Sequence, residues 1–254
     1  MKVAWVTGGG TGIGRALAQA LYQEGYAVMI TGRRPKPLAE TVQALSAFQG
    51  PGQIMALSGD ICENQHIENV LKKIHDAWGP VDLLINNAAI NPHHRTQEST
   101  LEEFSNVFNV NCLSAISITK KVLPEMLSQR QGSIVNISSM LGRMASLRSA
   151  AYSTSKFALA GFTDSLRQEL TGTGVHVMTV YPGFILTAMT EPFARSPLKR
   201  RLAATPEQMA TAILFGLRRR KREITYPWYV SWVLRAHRLF PNTLEAFYRQ
   251  AQGQ

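Results

Sequence analysis

Residues 3–22, VAWVTGGGTGIGRALAQALY, decide how the rest of the chain is read. Val3-Ala4-Trp5-Val6-Thr7 is a short apolar strand, and Arg15–Tyr22 has good helix propensity with apolar residues at helical spacing. Between them lie Gly8, Gly9, Gly10, Thr11, Gly12, Ile13 and Gly14. Strand, glycine turn and helix in immediate succession is the context in which a glycine motif reads as a dinucleotide site. Glycines let the backbone approach a pyrophosphate, whose charge then sits at a helix N-terminus. The competing reading is a tight turn that binds nothing.

Outward from this unit the pattern repeats. Ala27–Thr31 is a second apolar strand, ending in Gly32-Arg33-Arg34. Arg33 lies nineteen residues after Gly14, close to where an NAD-selective fold places an acid on the ribose 2′-hydroxyl. No acid stands here, and two guanidiniums suit a 2′-phosphate through bidentate, charge-assisted bonds. NADP(H) is therefore favoured over NAD(H), with a solvated basic turn as the alternative. Further strands are predicted at Gln53–Leu57, Val81–Ile85, Ser133–Ser138, Val175–Val180 and Glu223–Tyr226. Helices are predicted at Leu38–Phe48, Asn64–Trp78, after the polar loop Asn91–Ser99 to about Gln129, and around Tyr152. Strands separated by helical patterns imply one doubly wound α/β fold, a parallel sheet with helices on both faces. Ligands of such sheets bind beyond the carboxyl ends of the strands. Gly8, Arg33, Asp60, Asn87, Ser139 and Pro182 all follow strand ends, so they converge on one rim.

The segment NISSMLGRMASLRSAAYSTSK carries the candidate chemistry. Tyr152 and Lys156 are four residues apart, on one face of a helix. A phenol titrates near ~10 in water. An ammonium about 4 Å away, at an effective dielectric of about 20, would favour the phenolate by roughly 4 kcal/mol before desolvation opposes it. That predicts a tyrosine able to act as a general acid or base. Ser139, thirteen residues upstream, would hold a carbonyl oxygen while Tyr152 protonates it.

Composition bounds the rest. The 254 residues carry two cysteines, Cys62 and Cys112, without pairing or metal-site spacing, which predicts a reducing, cytoplasmic setting. The N-terminus runs straight into a strand rather than a signal peptide, and no apolar run approaches the ~20 residues of a membrane span. The net charge of +10 is uneven: residues 1–194 hold 15 basic and 14 acidic side chains, whereas residues 195–254 hold 12 and 3.

With these motifs in view, the sequence resembles the short-chain dehydrogenase/reductase family over roughly residues 3–190. TGGGTGIG, Asp60-Ile61, NNAA, Asn111, the NISS serine, YSTSK and PGFILT stand in the family's order and spacing. The resemblance implies a single Rossmann-like domain over residues 1–254 and an oxidoreductase acting between a carbonyl and a secondary alcohol. Tyr152 would be the acid in reduction and the base in oxidation. Lys156 would lower the Tyr152 pKa and bond the nicotinamide ribose, Ser139 would position the substrate oxygen, and Asn111 would hold a relay water through a helix kink. Gly8, Thr11, Gly12, Ile13 and Gly14 would frame the pyrophosphate turn. Asp60 and Ile61 would flank adenine, Asn87 and Ala88 line the cofactor, and Pro182, Gly183, Ile185 and Thr187 border the nicotinamide end. NNAA replaces the commoner NNAG. Thr11 stands where many NADP-dependent members carry a basic residue, leaving the 2′-phosphate to Arg33 and Arg34. No metal is implied. A homodimer or homotetramer through the long helix and the Tyr152 helix is implied by analogy.

On the substrate side, Met140, Leu141, Met144, Phe184, Leu186, Met189 and Phe193 read as an apolar pocket or as core. Substrate contacts would come from Leu141–Ser149 and a segment at about residues 188–204. His93 and His94 fall in a polar loop near the rim, and Arg143 and Arg148 are the cationic candidates there. The basic, aromatic extension, about residues 218–254, opens with Arg218–Arg222. On a helix, Trp228, Tyr229, Trp232, Val233, Ala236, Leu239 and Phe240 share one face, with Ser231, Arg235 and Arg238 largely opposite. This face would cover the chain's own core or a partner subunit, meet a membrane surface, or dock an acidic carrier bearing the substrate. Nucleic acid is not expected, since no binding motif accompanies the charge. A carrier-linked 3-oxoacyl reductase and a non-catalytic NADP(H) sensor or scaffold are the rival functions.

Overall fold

A computed structural model describes residues 1–48, 50–191 and 197–242, the side chains of 197–199 excepted. Phe193 and the last twelve residues lie outside the described residues. The first half alternates β1 (Val3–Thr7), α1 (Gly12–Gln23), β2 (Ala27–Gly32), α2 (Pro35–Ala47), β3 (Gln53–Ser58), α3 (Asn64–Trp78) and β4 (Leu83–Asn86). Then come α4 (Leu101–Phe108), α5 (Ser114–Ser128), β5 (Gly132–Ile137), α6 (Ala150–Glu169) and β6 (Val175–Pro182). The described chain continues with α7 (Pro197–Leu202), α8 (Pro206–Arg218), β7 (Glu223–Tyr226) and α9 (Tyr229–Leu239).

The seven strands pair in parallel in the order β3-β2-β1-β4-β5-β6-β7. Side chains alternate across each strand, and the two faces bury different helices. Ala4, Val6, Val28 and Ile30 pack with α1, α2 and α8, whereas Val3, Trp5, Ala27 and Met29 pack with α3, α5 and α6. Each valine, isoleucine or methionine among them, removed from water, contributes roughly 1.5–3 kcal/mol. Fully buried Trp5 keeps its polar atom satisfied, Nε1 donating to Thr31 Oγ1 at 3.1 Å. A buried polar chain ties the centre together: Asn86 Nδ2 donates to Asn136 Oδ1 at 2.8 Å, and Asn136 Nδ2 donates to Thr163 Oγ1 at 2.9 Å. The strand order reverses between β1 and β4, which opens a crevice at their carboxyl ends.

Three sequence expectations change. The long helix to Gln129 is interrupted by one π-helical turn, Asn109–Leu113, between α4 and α5, the kind of irregularity that recurs at functional sites. The basic cluster and the aromatic helix are not one surface. Arg220 donates to the Gly174 carbonyl at the amino end of β6, while Gly183, beyond its carboxyl end, donates to Tyr226. The four residues of β7 separate them by about 13 Å.

The inward face of α9 also differs from the one the apolar count suggests. Val230 is fully buried, because it packs where Gly183 lacks a side chain; a Cβ there would lie 2.5 Å from Val230 Cγ2. That contact sets the helix's phase, so Trp228 and Trp232 turn outward and do not cover the chain's own core. Arg235, expected opposite the tryptophans, lies over the Trp232 ring at 5.5 Å.

Candidate active site

The glycine turn is shaped for a close approach. Gly8 and Gly12 adopt φ of +68° and +55°, the left-handed region that L side chains avoid. At Gly14 a Cβ would lie 2.2 Å from the Gly8 carbonyl oxygen, and at Gly12 it would meet Thr187 Cγ2 at 3.0 Å. Thr11 caps α1 without a side-chain hydrogen bond, and no acid occupies the first turn. The first amides of α1 are therefore left to an anion. A residue that sequence reasoning passed over anchors this turn. Thr7 Oγ1 accepts from the amides of Asn87 (2.9 Å) and Ala88 (3.0 Å), while Asn87 Nδ2 donates to the Thr7 carbonyl (2.8 Å). Its signal was its place as the last residue of β1.

Arg33 and Arg34 are exposed beyond β2, so both guanidiniums are available to a phosphate. Asp60 Oδ1 accepts from the Cys62 amide at 2.9 Å, and Arg33 is close enough to draw the Cys62 thiol down against the burial that pushes it up to about 11. Ile61 and Ile185 place their side chains in the core. They can therefore border a cofactor only through backbone. Pro182 ends β6, and Thr187 is held by Thr190, which donates to its carbonyl at 3.2 Å.

The proton-transfer candidates gather where β5 and α6 meet. Ser139 Oγ accepts from the Leu141 amide at 3.1 Å and lies close enough to Tyr152 to draw its phenol down. Lys156 is buried, and its Nζ donates to the Ile137 carbonyl at 2.8 Å. Ser138 Oγ donates to the Lys156 carbonyl at 2.9 Å, fastening α6 to the end of β5.

The expected electrostatics are reversed in this structure. The Lys156 ammonium lies 5.7 Å from the Tyr152 ring centroid and is aimed at a carbonyl. Desolvation therefore governs both groups. It pushes the Tyr152 phenol up to about 12, with the Ser139 bond opposing, and pushes Lys156 down to about 8. Tyr152 is thus a protonated donor throughout the neutral range.

Asn111 sits in the π-helical turn with its side chain fully committed. Its Oδ1 accepts from the Ile90 amide at 2.8 Å, and its Nδ2 donates to the Ile90 carbonyl and to Ser155 Oγ, each at 3.0 Å. Ser155, also missed, donates to the Tyr152 carbonyl at 2.7 Å. Its position three residues after Tyr152 was the available hint. What Asn111 could offer a water is therefore its backbone, not its amide.

The substrate side is apolar. Met140, Leu141 and Phe184 are half-buried, Leu186 and Met189 are exposed, and Met144 belongs to the core. Arg143 is not free for an anion: it forms a bidentate pair with Glu223 and stacks 4.0 Å over the Tyr181 ring. His94 Nδ1 pairs with Glu103 Oε2 at 2.7 Å, and His93 lies 3.5 Å from Ser149 Oγ. Arg148 is exposed.

Comparison with known proteins agrees with this geometry. The family model for short chain dehydrogenase matches residues 2–197. The ketoacyl reductase HetN of Nostoc sp. is 34% identical over 224 residues, covering 88% of this chain and 77% of that one. The 3-oxoacyl-[acyl-carrier-protein] reductase FabG of Vibrio cholerae is 36% identical over 222 residues, covering 84% of this chain and 88% of its own. Among solved structures, a variant actinorhodin polyketide ketoreductase with NADPH superposes with a TM-score of 0.81 at 27% identity, covering 90% of this chain and 97% of that one. A protein described as an NAD(P) dependent gluconate 5-dehydrogenase, from Beutenbergia cavernae with bound NADP, gives 0.77 at 31% identity, covering 84% and 88%. With its glycine turn and this match over more than three-quarters of its length, the chain belongs to the short-chain dehydrogenase family.

Proposed function

We propose that this protein is an NADP(H)-dependent oxidoreductase that interconverts a carbonyl and a secondary alcohol on an apolar small molecule. The observation that carries the reading is the gathering of Ser139, Tyr152 and Lys156 where β5 meets α6, with Ser139 near enough to draw the Tyr152 phenol down and Lys156 Nζ 5.7 Å from its ring. NADPH, when bound, supplies the hydride that adds to the carbonyl carbon. Gly8, Thr11, Gly12, Ile13 and Gly14 leave room for its pyrophosphate beside the first amides of α1, while the Gly8 amide is held by the Thr31 carbonyl, and Arg33 and Arg34 offer paired cations to a 2′-phosphate. Asp60, Asn87, Ala88, Gly183 and Thr187 complete the walls of that crevice. Ser139 holds the substrate oxygen, and the Tyr152 hydroxyl gives it a proton as the C=O bond becomes an alkoxide. Lys156, charged below about pH 8, offsets the negative charge left on the phenol oxygen. Asn111 acts as a positioning residue, holding the Ile90 loop against the α6 turn that carries Tyr152.

The test is NADPH oxidation over a panel of apolar ketones, aldehydes, quinones and acyl thioesters. Turnover on some member of the panel is expected to fall about 10²–10⁴-fold in Tyr152→Phe with NADPH binding unchanged. Tight NADPH binding with no turnover on any compound would instead make this a sensor or scaffold. A second reading, a carrier-linked 3-oxoacyl reductase, is favoured by the relatives of that activity, and a preference for acyl thioesters would select it. Exposed Leu113 and Phe157, on the helices that face outward beside the site, support pairing of two or four copies. Free Cys62 and Cys112 support a reducing, cytoplasmic setting.

A further inference from the structure

The outward stripe of α9 is both apolar and basic. Trp228, Trp232, Arg235 and Leu239 follow the i, i+4, i+7, i+11 spacing of a single helix face. Trp228 is 73% exposed, Trp232 63% and Leu239 69%. Arg238 flanks the stripe. Residues 227–242 contain no Asp or Glu, and among the described residues neither arginine forms an ion pair.

We propose that this stripe is a docking surface for an anionic lipid bilayer. Tryptophan suits the interface because its ring is apolar with one polar edge, and the arginines suit acidic headgroups. A second copy of the chain fits poorly: it would set Arg235 and Arg238 against their own like charges with no acid on the stretch to offset them. The opposite side of α9 is seated on the site's border, with Val230 against Gly183 and the Tyr229 hydroxyl accepting from the Phe184 amide at 3.2 Å. Docking α9 therefore brings the apolar border of the candidate active site to the membrane surface. The substrate class this implies is a carbonyl or alcohol carried on a lipid-dissolved molecule. That substrate rests on the oxidoreductase reading, whereas vesicle binding does not.

The experiment is sedimentation of the full chain, loaded with NADPH, with vesicles of phosphatidylcholine alone or mixed with phosphatidylglycerol. Wild type is expected to bind the phosphatidylglycerol vesicles. Trp228→Ser with Trp232→Ser, and separately Arg235→Gln with Arg238→Gln, should each weaken binding about tenfold or more. Unchanged far-UV circular dichroism and NADPH binding would show that these exposed changes leave the fold intact. The proposal is overturned if wild type stays in solution with anionic vesicles, or if both double variants bind as tightly as wild type. It is also overturned if vesicles are ignored while the tryptophan pair alters the mass in light scattering, or abolishes binding to a purified acyl carrier protein. Those two outcomes would assign the stripe to a second copy or to a carrier.

Discussion

At the scale of single residues, the site is governed by burial more than by pairing. Tyr152 and Lys156 share a helix face, but Nζ donates to the Ile137 carbonyl, and desolvation pushes the phenol up to about 12. The group that titrates near neutrality is Lys156, pushed down to about 8 by desolvation. Above that pH the ammonium is lost, and with it the charge that offsets a developing phenolate. The rate constant kcat/KM for reduction should therefore fall along one alkaline limb centred near pH 8, measured by steady-state kinetics across pH. A plateau that persists to the Tyr152 value would show that Lys156 plays no part. Under the proposed function, exposed Arg33 and Arg34 would serve the cofactor's 2′-phosphate and not the reacting carbonyl. Charge-assisted bonds are worth about 1.5–3 kcal/mol. Arg33→Ala with Arg34→Ala should thus raise KM for NADPH at least about tenfold and leave KM for NADH nearly unchanged.

At the scale of elements, the β1–turn–α1 unit works because the Gly8 and Gly14 backbones and the Asn87 side chain nearly touch. A methyl at Gly14 would meet the Gly8 carbonyl oxygen at 2.2 Å and Asn87 Nδ2 at 2.6 Å, and the first of these is main chain with no rotamer to relieve it. Gly14→Ala should destabilise the protein by about 1–3 kcal/mol, read from the urea midpoint, and weaken NADPH binding besides. The π-helical turn between α4 and α5 belongs to the same scale. It presents Asn111 so that the amide pairs with both polar groups of Ile90, and through Ser155 the turn at Tyr152 is braced.

Across the whole molecule, the cluster around Arg220 lies at the amino end of β6, away from the rim that holds Ser139 and Tyr152. The amino end of β6 carries His176, buried beside Arg167 and Arg220. Burial first, and then those arginines, push its imidazole down from 6.5 to about 4. Folded His176 thus stays neutral where the unfolded chain takes up a proton, so stability is lost as pH falls from 6.5 toward about 4. In His176→Gln that slope should flatten, measured by urea unfolding at several pH values. A slope identical to wild type would remove His176 from the acid response.

The sequence alone determined the strand–helix alternation, the parallel sheet and the rim on which Gly8, Arg33, Asn87, Ser139 and Tyr152 gather. Those follow from local periodicity and from side chains whose spacing along one element sets where they emerge. The helix Asn64–Trp78 and the strand Glu223–Tyr226 were legible to the residue for that reason. What local pattern does not encode is which partner a side chain chooses when several are near. Only the folded chain gives Lys156 to Ile137, Arg143 to Glu223 and the Asn111 amide to Ile90. The phase of α9 belongs here too. Its apolar residues read as one face, and the sequence left open whether that face meets the chain's own core, a partner subunit, a carrier or a membrane. The gap above Gly183 accepted Val230, because close packing rewards fit to a neighbour rather than the largest apolar face.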